Sequence, residues 1–345
     1  MNRRGVLRYI FFASTLFLLG EVLIRFFVTS PSPQISDPAV GFRYRPNSVV
    51  FDTQEGGARL RLNSLGLNSP EADSPKRRTR VLVLGDSFTM ASQVPRNKNF
   101  VENLRVMRPD IEFVNAGRSD AGPLDYPALF DYYAPLLHPD RILVILTPGD
   151  IRDTDESLSR IQRGPDGCPE HILPPGRSKG KWQRQVEPLL RQSALLTLLS
   201  RRINALYRSH HTKEGDASPR PNSSTKVDLD KNRIEAIAFA LRQMQINKPV
   251  TVVYIPYIDY GRNRIASVEA SSALGARLIC EAAKEVGMTA HVLDSMFINA
   301  YFQDGQPGHG FANVQIGSGH LNLRGHRIAA KAISDIIATE IPKSD

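Results

Sequence analysis

The sequence predicts an α/β domain with a parallel sheet covered on both faces, carried behind an N-terminal membrane helix. Three observations lead there. Five short, nearly continuous apolar runs recur at 80–84 (RVLVL), 111–115 (IEFVN), 141–146 (RILVIL), 249–255 (PVTVVYI) and 289–293 (TAHVL). Helix candidates at 99–107, 124–136, 228–246 and 265–286 lie between or beside them, and a last one at about 323–341 closes the chain. Apolar strands alternating with helices imply a sheet buried on both faces. The third observation is the apolar stretch from Tyr9 to Val28, long enough to span a bilayer.

Taken in order, residues 1–29 are the expected anchor. Arg3, Arg4 and Arg8 precede the apolar stretch and few basic residues follow it closely, which places the N-terminus in the cytoplasm and the body outside. Glu21 and Arg25 interrupt the stretch; four apart, they can pair on one helix face, and Arg25 can snorkel toward the interface. No small-x-small cleavage site stands out, so the segment reads as uncleaved. Residues 30–79 form a Pro/Ser-rich tether and a small β element, "VGFRYRPNSVV" and "GGARLRLNSLGLN", ending in the polar linker "SPEADSPKRRT".

The main domain is 80–345, with an insertion at about 155–227. Within it "WQRQVEPLLRQSALLTLLSRRINALY" has helical period and is expected to pack against the domain, with a cap over the site or a place on the membrane surface as the alternatives. The following "HHTKEGDASPRPNSSTK" reads as disordered or a mobile loop.

The chain has 345 residues and a net charge of +9, but its basic residues are spread widely and no nucleic-acid-binding signature accompanies them, so no nucleic-acid partner is expected. Its two cysteines, Cys168 and Cys280, lack metal-site spacing; an exported domain permits a bridge, but two thiols so far apart read as free or buried. Isolated histidines give no ligand spacing, and no GxGxxG or GxxxxGK is present, so neither a metal nor a nucleotide cofactor is expected.

In open parallel sheets, ligands bind outside the carboxyl ends of the strands. Gly85, Asp86, Ser87, Gly117, Gly149, Asp150 and Asp294 fall at those ends. In "VLVLGDSFTM" the apolar run stops at a serine that leads into a helix. A tight turn there exposes the hydroxyl, and nearby amides can hold a developing oxyanion; the structural alternative is that Ser87 or Asp86 merely caps a helix. His320, in "GSGHLNLRGHRIAAKAI", precedes a turn and an amphipathic helix, and could act as general base toward Ser87.

These stretches, with "VNAGRSDAGPLDY" after the second strand and "ILTPGDIRD" after the third, resemble the SGNH/GDSL hydrolase family of serine esterases and acyltransferases over roughly 80–340. The preceding "DPAVGFRYRPNS" and "RLNSLGLNSPE" resemble the short N-terminal piece of its membrane-anchored bacterial members. The resemblance implies a flavodoxin-like three-layer α/β/α fold with a five-stranded parallel sheet. It implies Ser87 as nucleophile, His320 as base, and an oxyanion hole built from the Ser87 N–H with further donors, for which Gly117 and Gly149 are the candidates here. Family members usually carry Asp three residues before the histidine, where this chain has Gly317, so Asp294 and Asp304 become the candidate orienting acids. The third block usually reads Asn–Asp and here reads Gly149–Asp150; Asp120 stands where the second block usually has its oxyanion glycine, unless Gly117 or Gly122 takes that place through a shifted loop.

Three functions are compatible with these residues. One is an esterase or O-acyltransferase working through an acyl-serine on a cell-envelope glycan or lipid. Another is a catalytically degenerate domain of the same fold, with a glycan-binding or envelope-assembly role and an envelope protein partner. The last is an unrelated flavodoxin-like binding module, which leaves "GDSFT" and "GHLNLRGH" unexplained. The expected location is a bacterial inner membrane, single-pass, with the C-terminal domain in the periplasm or outside.

Overall fold

The computed structural model describes residues 3–51, 53–175, 192–199, 203, 223–246 and 248–341. Helix α1 (Arg3–Phe27) is exposed along its apolar length and is long and apolar enough to cross a membrane. At 1.5 Å per residue it reaches roughly 37 Å, against roughly 30 Å for a hydrocarbon core. Glu21 and Arg25 do pair, at 2.7 Å. Glu21 also accepts hydrogen bonds from Ser193 Oγ and from the amides of Ala194 and Leu195, capping the helical segment 194–199. Apart from 192–199 and 203, the insertion's expected amphipathic helix lies outside the described residues. So does the expected loop after it as far as residue 222; from Ser223 the backbone is already helical.

Four short strands follow α1: β1 (Gln34–Asp37) with β2 (Gly41–Tyr44), and β3 (Val49–Phe51) with β4 (Arg59–Arg61), both pairs antiparallel. Val40 and Leu67 join the main core, and Tyr44 and Leu62 pack with Met90, so this N-terminal piece is fused to the body by apolar contact.

The central sheet contains β5 (Thr79–Leu84), β6 (Ile111–Asn115), β7 (Arg141–Leu146), β10 (Val250–Tyr254) and β13 (Ala290–Val292), in the order β6-β5-β7-β10-β13 and all parallel. Counted along the chain this is 2-1-3-4-5, the flavodoxin-like order. The apolar runs are continuous because both faces are buried. Leu82, Leu84, Val114, Ile142 and Val144 face a layer with α4 (Tyr126–Leu137), α6 (Ser223–Gln245) and α7 (Ala270–Glu285). Val81, Val83, Phe113, Leu143 and Ile145 face α3 (Phe100–Met107), α8 (Asp294–Asp304) and α9 (Leu323–Glu340).

Burial admits one ion pair at the sheet's start. Arg80 and Glu112 are in register on β5 and β6, 2.8 Å apart, with side chains 4% and 0% exposed. Arg80 Nη1 and Nη2 also donate to the carbonyls of Leu137 and Asp73, and the second Glu112 oxygen takes the Asp73 amide, so each buried charge has polar partners beyond the pair itself.

Four features depart from the sequence expectation. The helix expected from 265 starts at Ala270, because Ala266–Val268 (β12) pairs antiparallel with Ile258–Tyr260 (β11). The turn between them is made by Asn263 and Arg264 at positive φ, a local conformation that apolar periodicity does not report. The hairpin β8 (Ile161–Arg163) with β9 (Pro169–Ile172), helix α8, and the bulged pair β14 (His309–Gly310) with β15 (Ile316–Leu321) were not legible as elements. The cysteines follow the expectation of two free thiols: Cys168 is exposed, Cys280 half-buried, and they are not bridged.

Candidate active site

The order 2-1-3-4-5 reverses direction between β5 and β7, and a crevice opens at their carboxyl ends. β5 delivers Ser87 there. Its last residues, Val83 and Leu84, are fully buried, and the chain turns at Gly85. A Cβ at Gly85 would lie 2.2 Å from Thr89 Oγ1 and 2.9 Å from the Ile145 carbonyl, so only glycine permits the turn this close to β7. Asp86 then caps α2 (Ser87–Met90), its Oδ1 accepting from the Phe88 amide. The cap is therefore Asp86, and the Ser87 hydroxyl is left for another partner.

That partner is His320. Its Nε2 lies 2.8 Å from Ser87 Oγ, although the two residues are 233 apart in sequence. The ring rests on Phe88, with centroids 4.9 Å apart.

The third group is neither of the expected acids. His320 Nδ1 lies 2.6 Å from Glu55 Oε2, and the His320 amide donates to Glu55 Oε1 at 2.9 Å. Glu55 sits in the turn between β3 and β4. Asp294 instead accepts from the Ser295 amide, and Asp304 from the Gln306 amide and Arg324; no described hydrogen bond takes either to His320. Backbone geometry accounts for the substitution. Gly317 and Gly319 lie at φ +90° and +89°, a conformation L side chains rarely adopt, so an aspartate at 317 would be strained. A Cβ at Gly319 would fall 2.6 Å from Glu55 Oε1, so this glycine also opens the path by which Glu55 approaches. Burial pushes the Glu55 carboxyl up, but the hydrogen bonds and charge of His320 outweigh it and hold the group below its ordinary range.

Of the two glycines expected in an oxyanion hole, Gly117 is excluded. Its amide is taken by Asn115 Oδ1 at 3.0 Å, and a Cβ would lie 2.4 Å from the Met90 nitrogen, so it is a packing glycine. Gly149 is the second residue of α5 (Pro148–Ser157), where helix amides have no intrahelical acceptor. A Cβ there would meet only Thr147 Oγ1 at 3.4 Å and Asp86 Oδ2 at 3.9 Å, so the missing side chain leaves open space beside the site. Asp120 is exposed and adopts φ +59°, the conformation a glycine takes freely.

Behind Ser87 a buried polar chain supports the turn. Thr147 Oγ1 donates to Asp86 Oδ2 at 2.8 Å and lies 3.2 Å from Asp150 Oδ2, and Tyr126 donates to Asp150 Oδ1 at 2.6 Å. Burial raises the Asp150 carboxyl well above its ordinary range, and the nearby Asp86 raises it further. Thr147 thus links the Asp150 and Asp86 carboxyls behind the Ser87 turn. Among the described residues, no three His, Cys, Asp or Glu side chains gather as a metal site.

A cavity of about 560 Å³ adjoins the histidine strand, lined by Tyr257, Tyr260, Glu269, Gln315 and Ser318 among others. His309, on its wall, bonds Tyr260 through Nδ1; burial lowers its pKa to about 4.

No protein-family model and no curated protein matches the chain. Among solved structures it is similar to an alpha/beta hydrolase enzyme from the metagenome of Lake Arreo, Spain (15% identity, 77% of this chain and 97% of that one, TM-score 0.38). It is also similar to a member of the lipolytic protein G-D-S-L family from Veillonella parvula DSM 2008 (13%, 76% and 97%, TM-score 0.41). A third is the psychrotrophic esterase EstA from Pseudoalteromonas sp. (12%, 77% and 100%, TM-score 0.39).

Proposed function

We propose that the chain is a membrane-anchored serine esterase or O-acyltransferase acting on an ester-bearing glycan or lipid of the cell envelope. One observation carries this reading: the continuous contact Ser87 Oγ–His320 Nε2–His320 Nδ1–Glu55 at the carboxyl end of the first sheet strand. With Glu55 accepting from Nδ1–H, the other ring nitrogen is free to accept the serine proton. Ser87 Oγ attacks the acyl carbonyl as Nε2 takes its proton. The tetrahedral oxyanion is met by the Ser87 N–H, with the Gly149 amide in the first turn of α5 as a further donor. The alkoxide leaves with the proton from Nε2, and Ser87 carries the acyl ester. Water or a sugar hydroxyl then attacks that ester, gives its proton to Nε2, and Ser87 recovers it.

An inner-membrane location with the body outside the cytoplasm rests on α1 and on the arginines at its start. Transfer to a glycan or lipid acceptor rests on that location.

A silent binding domain of the same fold is the second reading. It is favoured by Gly149, which offers no side-chain donor where the family supplies one. Fluorophosphonate labelling of the detergent-solubilised chain separates the two. Labelling that disappears in Ser87→Ala and His320→Ala supports the enzyme. No labelling of folded wild type supports the silent domain.

A further inference from the structure

The carboxylate opposite His320 comes from the segment that leaves the N-terminal helix, and the contacts holding it there form one continuous set. At the helix end, the Thr53 amide and Thr53 Oγ1 both donate to the Val28 carbonyl, at 3.1 and 3.0 Å. Arg59 Nη2 donates to the Phe26 carbonyl at 2.9 Å, with its guanidinium over the Phe51 ring. Ser30 and Phe51 exchange hydrogen bonds in both directions. The Phe26 carbonyl in the last turn of α1 and the Val28 carbonyl just beyond it are thereby satisfied by residues on either side of the Glu55 turn.

At the body end, Asn313 clasps the same turn. Its Nδ2 donates to the Thr53 carbonyl at 2.9 Å, and its Oδ1 accepts from the Gly56 amide at 3.2 Å. These two contacts bracket Glu55. Gly56, at φ +72°, passes so close to the body that a Cβ would lie 2.1 Å from the Gln93 carbonyl. The turn is thus held from both sides, by exposed side chains on either flank of Glu55.

We infer that Asn313 and Thr53 are positioning residues that tie Glu55 to the exit of the N-terminal helix, so that the seating of this helix on the body sets the geometry of the Ser87–His320 pair. The inference rests on the catalytic reading above. Neither residue touches the reacting atoms; both act through Glu55. The anchor then does more than hold the domain near a membrane, because its last turn helps complete the site. Displacing an orienting group by about 1 Å costs on the order of 10²-fold in rate.

The test uses the full chain in detergent micelles with isotope-labelled histidine. The first readout is the low-field proton signal of the His320 Nδ1–H···Glu55 hydrogen bond, assigned by its absence in Glu55→Gln and His320→Gln. It should be lost or broadened in Asn313→Ala and weakened in Thr53→Val, a milder change that keeps the Thr53 amide bond and guards against misfolding of the first variant. The second readout is ester hydrolysis. Asn313→Ala should lower kcat by about 10²-fold with KM little changed. Added to Glu55→Gln, it should cost no more than about 2-fold further. An intact low-field signal in both folded variants overturns the inference, as does a loss that multiplies with that of Glu55→Gln. The failure of the catalytic reading looks different: the signal responds to Asn313→Ala, but Ser87 takes no label.

Discussion

Glu55→Gln tests the least expected member of the site. The substitution keeps shape and volume but removes the charge, and it places an amide where Nδ1 now finds an acceptor. Glutamine can still accept the His320 amide through its oxygen, which leaves its NH₂ facing Nδ1. That arrangement favours the tautomer with the proton on Nε2, which cannot receive the serine proton. The magnitude follows from distance and exposure. Opposite charges about 4 Å apart interact by about 4 kcal/mol at an effective dielectric of 20, equivalent to about 10³ in rate. Loss of the corresponding carboxylate in the well-studied serine triad costs about 10⁴. Here the Glu55 and His320 side chains are 22% and 25% exposed, so solvent screens part of the interaction. The expected fall in kcat is about 10²–10³-fold. The assay is hydrolysis of p-nitrophenyl acetate by the full chain, with the fluorophosphonate labelling rate measured alongside and folding checked by thermal melting. A Glu55→Gln protein that melts normally and keeps wild-type kcat, while Ser87→Ala is inactive, would refute the argument that Glu55 orients the base.

Three further predictions follow from the geometry. Gly149→Asn places an amide in the open space beside Asp86 without a contact closer than 3.4 Å at Cβ; kcat should rise, by up to about 10²-fold if the new side chain reaches the oxyanion, and an unchanged kcat in a normally melting variant would rule out that role. Burial keeps His309 and His326 neutral, with pKa values lowered to about 4 and about 3 from 6.5. The unfolded chain binds protons first, so their contribution is present above pH 6.5 and is lost as pH falls toward 4. The expected slope is up to about 2.7 kcal/mol per pH unit for the two sites together; urea midpoints measured across this range check it, and His326→Gln should reduce the slope by about half. Glu112→Ala leaves the buried Arg80 guanidinium without its countercharge, which should cost about 3–5 kcal/mol in denaturant unfolding, whereas a loss below 1 kcal/mol would mean that water or Asp73 compensates.

Much of the molecule was legible because its signals are local. Each sheet strand is a short, mostly apolar run, since a parallel strand within the sheet is buried on both faces. Gly85, Asp86 and Ser87 form a turn whose glycine, cap and exposed hydroxyl occupy adjacent positions. His320 is followed by Asn322, whose side chain accepts from the Arg324 and Gly325 amides and starts the last helix, so the strand–turn–helix pattern around it also lies within a few residues. The hairpin β11–β12 was obscured because its turn depends on Asn263 and Arg264 at positive φ, which leaves no periodic trace.

The sequence by itself determined the sheet, the membrane-length helix and the two residues Ser87 and His320, through motifs that each fit within one strand and its following turn. Only the tertiary structure decided which acid faces the histidine. Glu55 lies 265 residues before His320, in a turn whose sequence, "TQEGG", resembles many exposed turns. It reaches the ring because Gly317 and Gly319 hold a backbone that disfavours an acid on β15 itself and leaves room for one from outside. It stays there because Asn313 and the end of α1 hold both sides of its turn. Those conditions depend on packing between segments far apart in the chain, and no local pattern encodes them.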